Sequence, residues 1–325
     1  MDLLRLPLLV LKEVFKNMDF REKFLISLMS KRARNTLKLT CEKPYFSFEL
    51  SNDFSIFLEP SDRDRALTDE KQYLILGESL KLRFYPNGMK LNSQSIREQL
   101  FLAGYLLDTF TNPTSSVCFQ YPTEPVDVWK FMKMINQRQG SIKSFQYRFE
   151  GESSEFASRI LDECTEVTDY IWIHRVFSGD FVYTPPRPFK AKKLNFGETS
   201  NLFNVEKFMS CRNIYLKRKE NSIWPTQTYN SFIQKWMDLS VPLQELSFGT
   251  MQESEEYLIM DVLRNLGVMK KIKSEWFELK RRDGSKFFIN NNCHILITIY
   301  TKQAYLEKVK DDEEELVRPF GDLWA

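Results

Sequence analysis

The chain has 325 residues, 42% of them hydrophobic and 28% charged, and its 27 phenylalanines can fill a large core in one big or two smaller soluble domains. Lysine plus arginine (46) nearly balances aspartate plus glutamate (44), so the net charge of +2 provides no field that selects nucleic acid or an anionic membrane. The five cysteines, Cys41, Cys118, Cys164, Cys211 and Cys293, are widely spaced with no CxxC, which argues against a disulfide framework and a zinc site and fits a reducing, intracellular setting.

Residues 3–18, LRLPLLVLKEVFKNMD, start very apolar. A spanning helix needs roughly 20 apolar residues, and a secretory signal needs an apolar core of about 7–15 followed by a small-residue cleavage site. Here the run Leu6–Leu11 is ended by Lys12 and Glu13, so neither is expected, and no other run is long enough to span a bilayer. Pro7 suits the first turn of a helix. Leu11, Val14, Phe15 and Met18 then follow at i, i+3, i+4 and i+7, one apolar stripe. Asp19 and Glu22 have the spacing of an N-cap and its capping-box partner. The second helix they open, FREKFLISLM, is apolar on more than one side: Phe20, Phe24 and Leu28 form one row, and Leu25 and Met29 another. Ser30 can cap a third, basic helix, KRARNTLKL. Three such helices cannot cover this surface by themselves. A fully buried Leu or Phe is worth roughly 1.5–3 kcal/mol, so a cover is required. It is either the rest of the chain, with the helices as a cap, or another protein.

The order Leu6-Pro7, Val14-Phe15, Met18-Asp19 and Leu28-Met29-Ser30-Lys31-Arg32 resembles an F-box. The F-box is the three-helix motif that docks on the small adaptor of SCF-type ubiquitin ligases. Many F-boxes carry an acidic residue after the Leu-Pro and a tryptophan after the Lys-Arg; this chain has Leu8 and Leu9, and Ala33. In these respects it is similar to the F-box families of nematodes. The resemblance implies an adaptor-docking unit over 1–42 and contacts from Leu6, Pro7, Leu11, Val14, Phe15 and Met18. The run Lys31-Arg32-Ala33-Arg34 has the composition of either a nuclear signal or a charged helical face.

Residues 45–91 alternate apolar and polar side chains in YFSFELSNDFSIFLEP and YLILGESLKLRFYPNGMKL, with the polar loop SDRDRALTDEK between them. Ser95–Phe110 reads as an amphipathic helix. From residue 117 to 270, paired apolar residues recur: Phe119/Tyr121, Phe145/Tyr147, Ile171/Ile173, Leu194/Phe196, Ile214/Leu216 and Leu246/Phe248. Helix-like stretches such as PVDVWKFMKMINQ, SSEFASRILDEC and TYNSFIQKWMDL lie between them. Strand, helix and strand at a near-regular period predict a parallel array similar to leucine-rich repeats without the consensus asparagine. An ordinary open α/β sheet is the other reading. In each strand the intervening residue points to the opposite face. Gln120, Gln146, Trp172, Asn195, Tyr215 and Ser247 are therefore expected to form a ladder on one sheet surface, which either recognises a target or lies under another layer. The segment WFELKRRDGSKFFIN predicts a hairpin around Asp283-Gly284, followed by a strand in CHILITIYT. With NSFIQKWMDLSVPLQELSFGT upstream, residues 180–300 resemble the F-box-associated domain, type 2. The acidic tail VKDDEEELVRPF is expected to be solvated.

No phosphate loop, GxGxxG, HExxH or GxSxG occurs, and His174 and His294 are the only histidines. Cys293 and His294 are neighbours in a strand-like segment, so they point apart and form no dyad. The clusters Lys217-Arg218-Lys219 and Lys280-Arg281-Arg282 read as solvated edges. The expected fold is α+β or α/β: a three-helix F-box (1–42), then a target-binding α/β domain (43–325) with leucine-rich-like repeats and a C-terminal hairpin. The resemblance implies a non-enzymatic substrate receptor in the cytoplasm or nucleus. Its partners are a Skp-type adaptor and a protein target, with no catalytic residue, metal, cofactor, nucleic acid or membrane. The alternative is a leucine-rich-like interaction scaffold unconnected with ubiquitin transfer.

Overall fold

The computed structural model describes residues 5–58, 70–138, 140–148, 154–177, 183–199, 205–218, 225–249, 253–292 and 296–317. The chain divides into two compact units, residues 1–173 and 174–325.

The first unit opens with helices α1 (Leu8–Asn17), α2 (Phe20–Met29) and α3 (Lys31–Thr40). Pro7 stands one residue ahead of α1, and its carbonyl accepts the first helical bond, from Leu11 N–H at 3.0 Å. The capping box forms: Glu22 N–H donates to Asp19 Oδ1 at 2.7 Å and Asp19 N–H donates to Glu22 Oε2 at 2.9 Å. Ser30 Oγ accepts from Ala33 N–H at 3.1 Å and starts α3. Leu11, Phe15 and Leu37 then form a small core, joined by Leu6, Met18, Ile26 and Cys41.

Strands β1 (Tyr45–Leu50), β2 (Phe54–Leu58), β3 (Lys71–Ile75), β4 (Glu78–Tyr85) and β5 (Gly88–Leu91) follow. After helix α4 (Ile96–Thr109) come β6 (Thr114–Phe119), α5 (Pro125–Gln137), β7 (Ser141–Arg148), α6 (Ser154–Cys164) and β8, which starts at Tyr170 and runs to Phe177. The sheet order is β3-β4-β5-β2-β1-β6-β7, with β8 next to β7. Strand β1 is parallel to β6 and β6 to β7, whereas the pairs from β1 outward to β3 are antiparallel.

The pleat of β1 sorts the side chains: Phe46, Phe48 and Leu50 are buried, while Tyr45, Ser47 and Glu49 are only half-buried. The phenylalanine face receives the helices. Phe131 of α5 sits with its ring 5.6–5.8 Å from those of Phe48, Phe54 and Phe119. Helix α2 packs here too. Phe20 meets Phe46 at 6.3 Å, Phe24 meets Phe84 at 5.6 Å and Tyr105 at 6.1 Å, and the Ser27 and Tyr105 hydroxyls hydrogen-bond at 2.9 Å. Helices α1 to α3 therefore share a unit with the sheet that follows. Helix α4 is more enclosed than an amphipathic helix, with Leu102 to Leu107 all buried, because α3 and α5 both pack on it.

In the second unit, β9 (Lys193–Thr199), β10 (Asn213–Arg218) and β11 (Glu245–Gly249) are parallel. A single 3₁₀ turn, Val205–Phe208, lies between β9 and β10, and α7 (Thr226–Asp238) between β10 and β11. Helix α8 (Glu253–Leu266) leads into β12 (Gly267–Lys271), β13 (Trp276–Arg281), β14 (Lys286–Asn292) and β15 (Leu296–Thr301). These four strands pair antiparallel in chain order, and β15 closes antiparallel on β11. Gly284, at φ +86°, occupies the β13–β14 turn. Helix α9 (Lys302–Val317) ends the described chain. Trp236 of α7 is buried, its indole N–H donating to the Leu243 carbonyl at 3.0 Å and its ring 5.7 Å from Phe287. Strand and helix alternate through β6-α5-β7-α6-β8 and β10-α7-β11-α8, but each unit's sheet also holds antiparallel strands, so each is a mixed α/β sheet.

Truncating Phe24 to Ala removes a fully buried ring from between α2, β4 and α4 and is expected to destabilise the chain by about 3–5 kcal/mol. Hydrogen exchange should speed up together in α2 and in β4. Loss of protection confined to α2 would show that the helices fold apart from the sheet.

Candidate docking sites

Helix α1 presents two very different sides. Leu11 and Phe15 are 3% and 0% exposed, and Leu6 and Met18 are half-buried against the same cluster. Leu11 and Phe15, two of the expected adaptor contacts, lie one turn apart on the inward stripe, where they pack with Leu37 of α3. Of the six expected residues, Pro7 is exposed and Val14 half-buried. The outward surface instead carries Leu8, Leu9 and Val10, exposed by 51%, 77% and 44%. Leu9 and Val10 fall off the Leu11–Phe15–Met18 stripe by their spacing, whereas Leu8, three residues before Leu11, continues it and is exposed at the start of the helix. Consecutive residues of a helix point about 100° apart, so these three side chains spread around the exposed part of α1. Beside α1 runs a cleft of about 600 Å³, bordered by Lys12, Lys16, Lys23 and Lys43 and by Cys41 at the end of α3. Burial pushes the Cys41 thiol up, and the Lys23 charge only partly opposes it.

The expected ladder forms in part. In the first unit β6 ends at Phe119, and its core pair is Val117 and Phe119 rather than Phe119 and Tyr121. Gln120 therefore lies beyond the strand, its N–H donating to the Leu50 carbonyl at 2.8 Å, and Tyr121 is 67% exposed. Cys118 takes the ladder position, opposite Glu49 and Gln146. Gln146 is half-buried between buried Phe145 and Tyr147, and Trp172 likewise between Ile171 and Ile173. The Ser144 hydroxyl donates to Ser116 Oγ at 2.6 Å on the same face, so small polar groups dominate there.

In the second unit Asn195, Tyr215 and Ser247 stand in cross-strand register, and Thr298 of β15 extends the row. Ser247 and Thr298 are covered, at 5% and 2% exposure, and their hydroxyls bond at 3.0 Å. On this face α9 lies along β14 and β15, with Tyr305 stacked on Phe288 at 3.9 Å and 5.1 Å from Trp276. Tyr215 rests its ring on Gly249, where any side chain would collide with it, and burial pushes its phenol up. Its neighbour Glu245 is likewise pushed up by burial, although Asn213 Nδ2 donates to it at 2.5 Å and Lys193 and Lys308 oppose the shift. The open part of the ladder is thus Asn195 and the edge of Tyr215.

Nothing else among the described residues gathers for chemistry. No group of three or more His, Cys, Asp or Glu residues is placed to hold a metal, and no helix is long and apolar enough to cross a membrane. His174 is half-buried against Gly197, while Cys293 and His294 lie outside the described residues. Burial pushes the thiols of Cys164 and Cys211 up, the latter to about 12, so neither is a thiolate at neutral pH. Arg281, expected on a solvated edge, is a tether instead. It donates to the Met237 carbonyl at 2.9 Å and pairs with Asp238 and Asp283, fastening the end of α7. Lys219 and the tail beyond residue 317 lie outside the described residues.

Comparison with known families matches residues 3–43 to the F-box domain. No curated protein matches the chain, and no solved structure does. F-box domains typically bind Skp-type adaptors, so helices α1 to α3 carry the general signature of an SCF adaptor-docking element.

Two measurements probe these sites. Native alkylation at pH 8 should spare Cys164 and Cys211 and modify them only after denaturation; rapid native labelling of either would contradict its burial. Glu245→Gln should raise the denaturation midpoint at pH 7, because it removes a carboxylate whose ionisation burial disfavours. A raised folded-state pKa means that the native chain loses this contribution as pH rises. The advantage of the variant should therefore vanish below the carboxyl's ordinary value of 4.5, where both folded and unfolded chains are protonated.

Proposed function

We propose that this chain is a substrate receptor of an SCF-type ubiquitin ligase, acting in the cytoplasm or nucleus without catalytic residues of its own. The observation that carries the reading is the F-box match at 3–43 on helices whose outer surface exposes Leu8, Leu9 and Val10. Those residues, with Pro7, Val14 and the partly covered Leu6 and Met18, seat the Skp-type adaptor. The mixed α/β region holds a protein target, and residues 180–300 act as an F-box-associated domain of the nematode kind. The mechanism is proximity: tethering raises the effective concentration of target lysines near the charged ubiquitin carrier. The packing of α2 on the sheet favours a second reading, an interaction scaffold whose N-terminal helices serve only as a cap.

Adaptor capture separates the two. Leu8→Asp with Leu9→Asp changes only exposed side chains, so the circular dichroism spectrum should stay native while affinity for a purified Skp-type adaptor falls by about thirtyfold or more. Equal adaptor binding by native and doubly substituted chains, or none by either, would remove the docking reading and leave the scaffold.

A further inference from the structure

The turn between β3 and β4 is built against the preference of its own backbone. Ile75 pairs with Glu78, so the hairpin closes through only two residues, Leu76 and Gly77, at φ +48° and +94°. Positive φ at both loop positions is the geometry that tightens antiparallel hairpins, and it favours Asn or Asp followed by Gly. Gly77 suits it. A leucine at the first position crowds its Cβ against the backbone, a conformation that non-glycine residues rarely adopt. Burial does not compensate, because Leu76 is 68% exposed. Leu74, two residues earlier on the edge strand, is 71% exposed. An exposed aliphatic side chain at a strained turn is a candidate contact for a molecule outside the chain.

The neighbours of this turn border the segment matched to the F-box domain. A hollow of about 200 Å³ separates it from the α2–α3 corner; Leu28, Ser30, Lys31 and Arg34 border one side, Leu74 and Leu76 the other. Those helical residues lie inside the segment matched to the F-box domain, and Met29, next to Leu28, is 76% exposed. The Arg34 guanidinium lies over the Tyr105 ring at 5.6 Å, and Lys31 is exposed. The hollow thus has aliphatic walls and a cationic rim.

We infer that the Leu76 turn is a second contact for the Skp-type adaptor, supplied from outside the F-box. It extends the docking surface across the α2–α3 corner and grips an apolar adaptor side chain flanked by carboxylates. The inference rests on the adaptor-docking reading above. It adds that residues 74–76 help determine which adaptor is bound and how tightly.

The test uses the full chain and a purified Skp-type adaptor, with affinity measured by calorimetry and stability by thermal melting. Leu76→Asn places a residue that tolerates the left-handed region at the strained position. The melting temperature should hold or rise, while adaptor affinity falls about five- to thirtyfold, the range of an interface anchor. Lys31→Glu with Arg34→Glu should weaken binding further and abolish its dependence on salt at this corner. Native affinity in Leu76→Asn, alongside loss of binding in the Leu8→Asp and Leu9→Asp chain, would overturn this inference and leave the docking reading intact. Absence of binding by the native chain would remove both. A lowered melting temperature in Leu76→Asn would show that the leucine serves the fold, and a change in the chain's own oligomeric state would show that a second copy is the occupant; either result overturns the inference.

Discussion

Helix α2 carries more apolar surface than two neighbouring helices can hide. Phe20, Phe24 and Ser27 form the row that settles the matter, since each is buried against a residue of the following sheet or of α4. That one packed row merges the three-helix element with the sheet. It also decides which side of α1 stays free: α3 closes over Leu11 and Phe15, and Leu8 to Val10 face outward. What stays exposed on α1 is the apolar remainder left after the chain has packed its own core.

The same logic runs along the strands. One face of each sheet is packed with aromatic and aliphatic side chains and receives most of the helices. The other is richer in Ser, Gln, Asn and Glu, with Tyr45, Trp172 and Tyr215 among its large members and Trp276 and Phe288 where α9 packs on it. In the second unit α9 covers one end of that polar face, so Ser247 and Thr298 bond to each other instead of to solvent. What remains open is narrower and more polar than an aromatic row across a whole sheet.

Much of this was legible in the residues. The caps of α2 and α3, the stripe of α1, the alternation of strands and helices, and the turn at Gly284 follow from local rules of spacing and backbone chemistry. The sequence placed Leu11 and Phe15 on one face but did not say whether a partner or the chain itself covers it, because periodicity reports sidedness and not the identity of the neighbour. Phe119 and Tyr121 mimic a strand pair with Gln120 between them, but the strand ends at Phe119 and Cys118 fills the position. Arg281 looked like surface charge, and only the position of α7 reveals its acceptor at Met237. Strand β12 (Gly267–Lys271) is hard to read from the sequence, since it follows α8 with only Gly267 between helix and Val268 and depends on β13 for pairing.

The passage from α3 into β1 is only Cys41 to Pro44, and bonds hold the chain at both of its ends. Thr111 Oγ1 donates to the Lys38 carbonyl and Thr114 N–H to the Pro44 carbonyl at 3.0 Å. These bonds, with Phe20 on Phe46 and Phe24 on Phe84, tie the first three helices to strands β1 and β4. A push on α1 is therefore felt by the sheet through side-chain packing as well as through the chain itself.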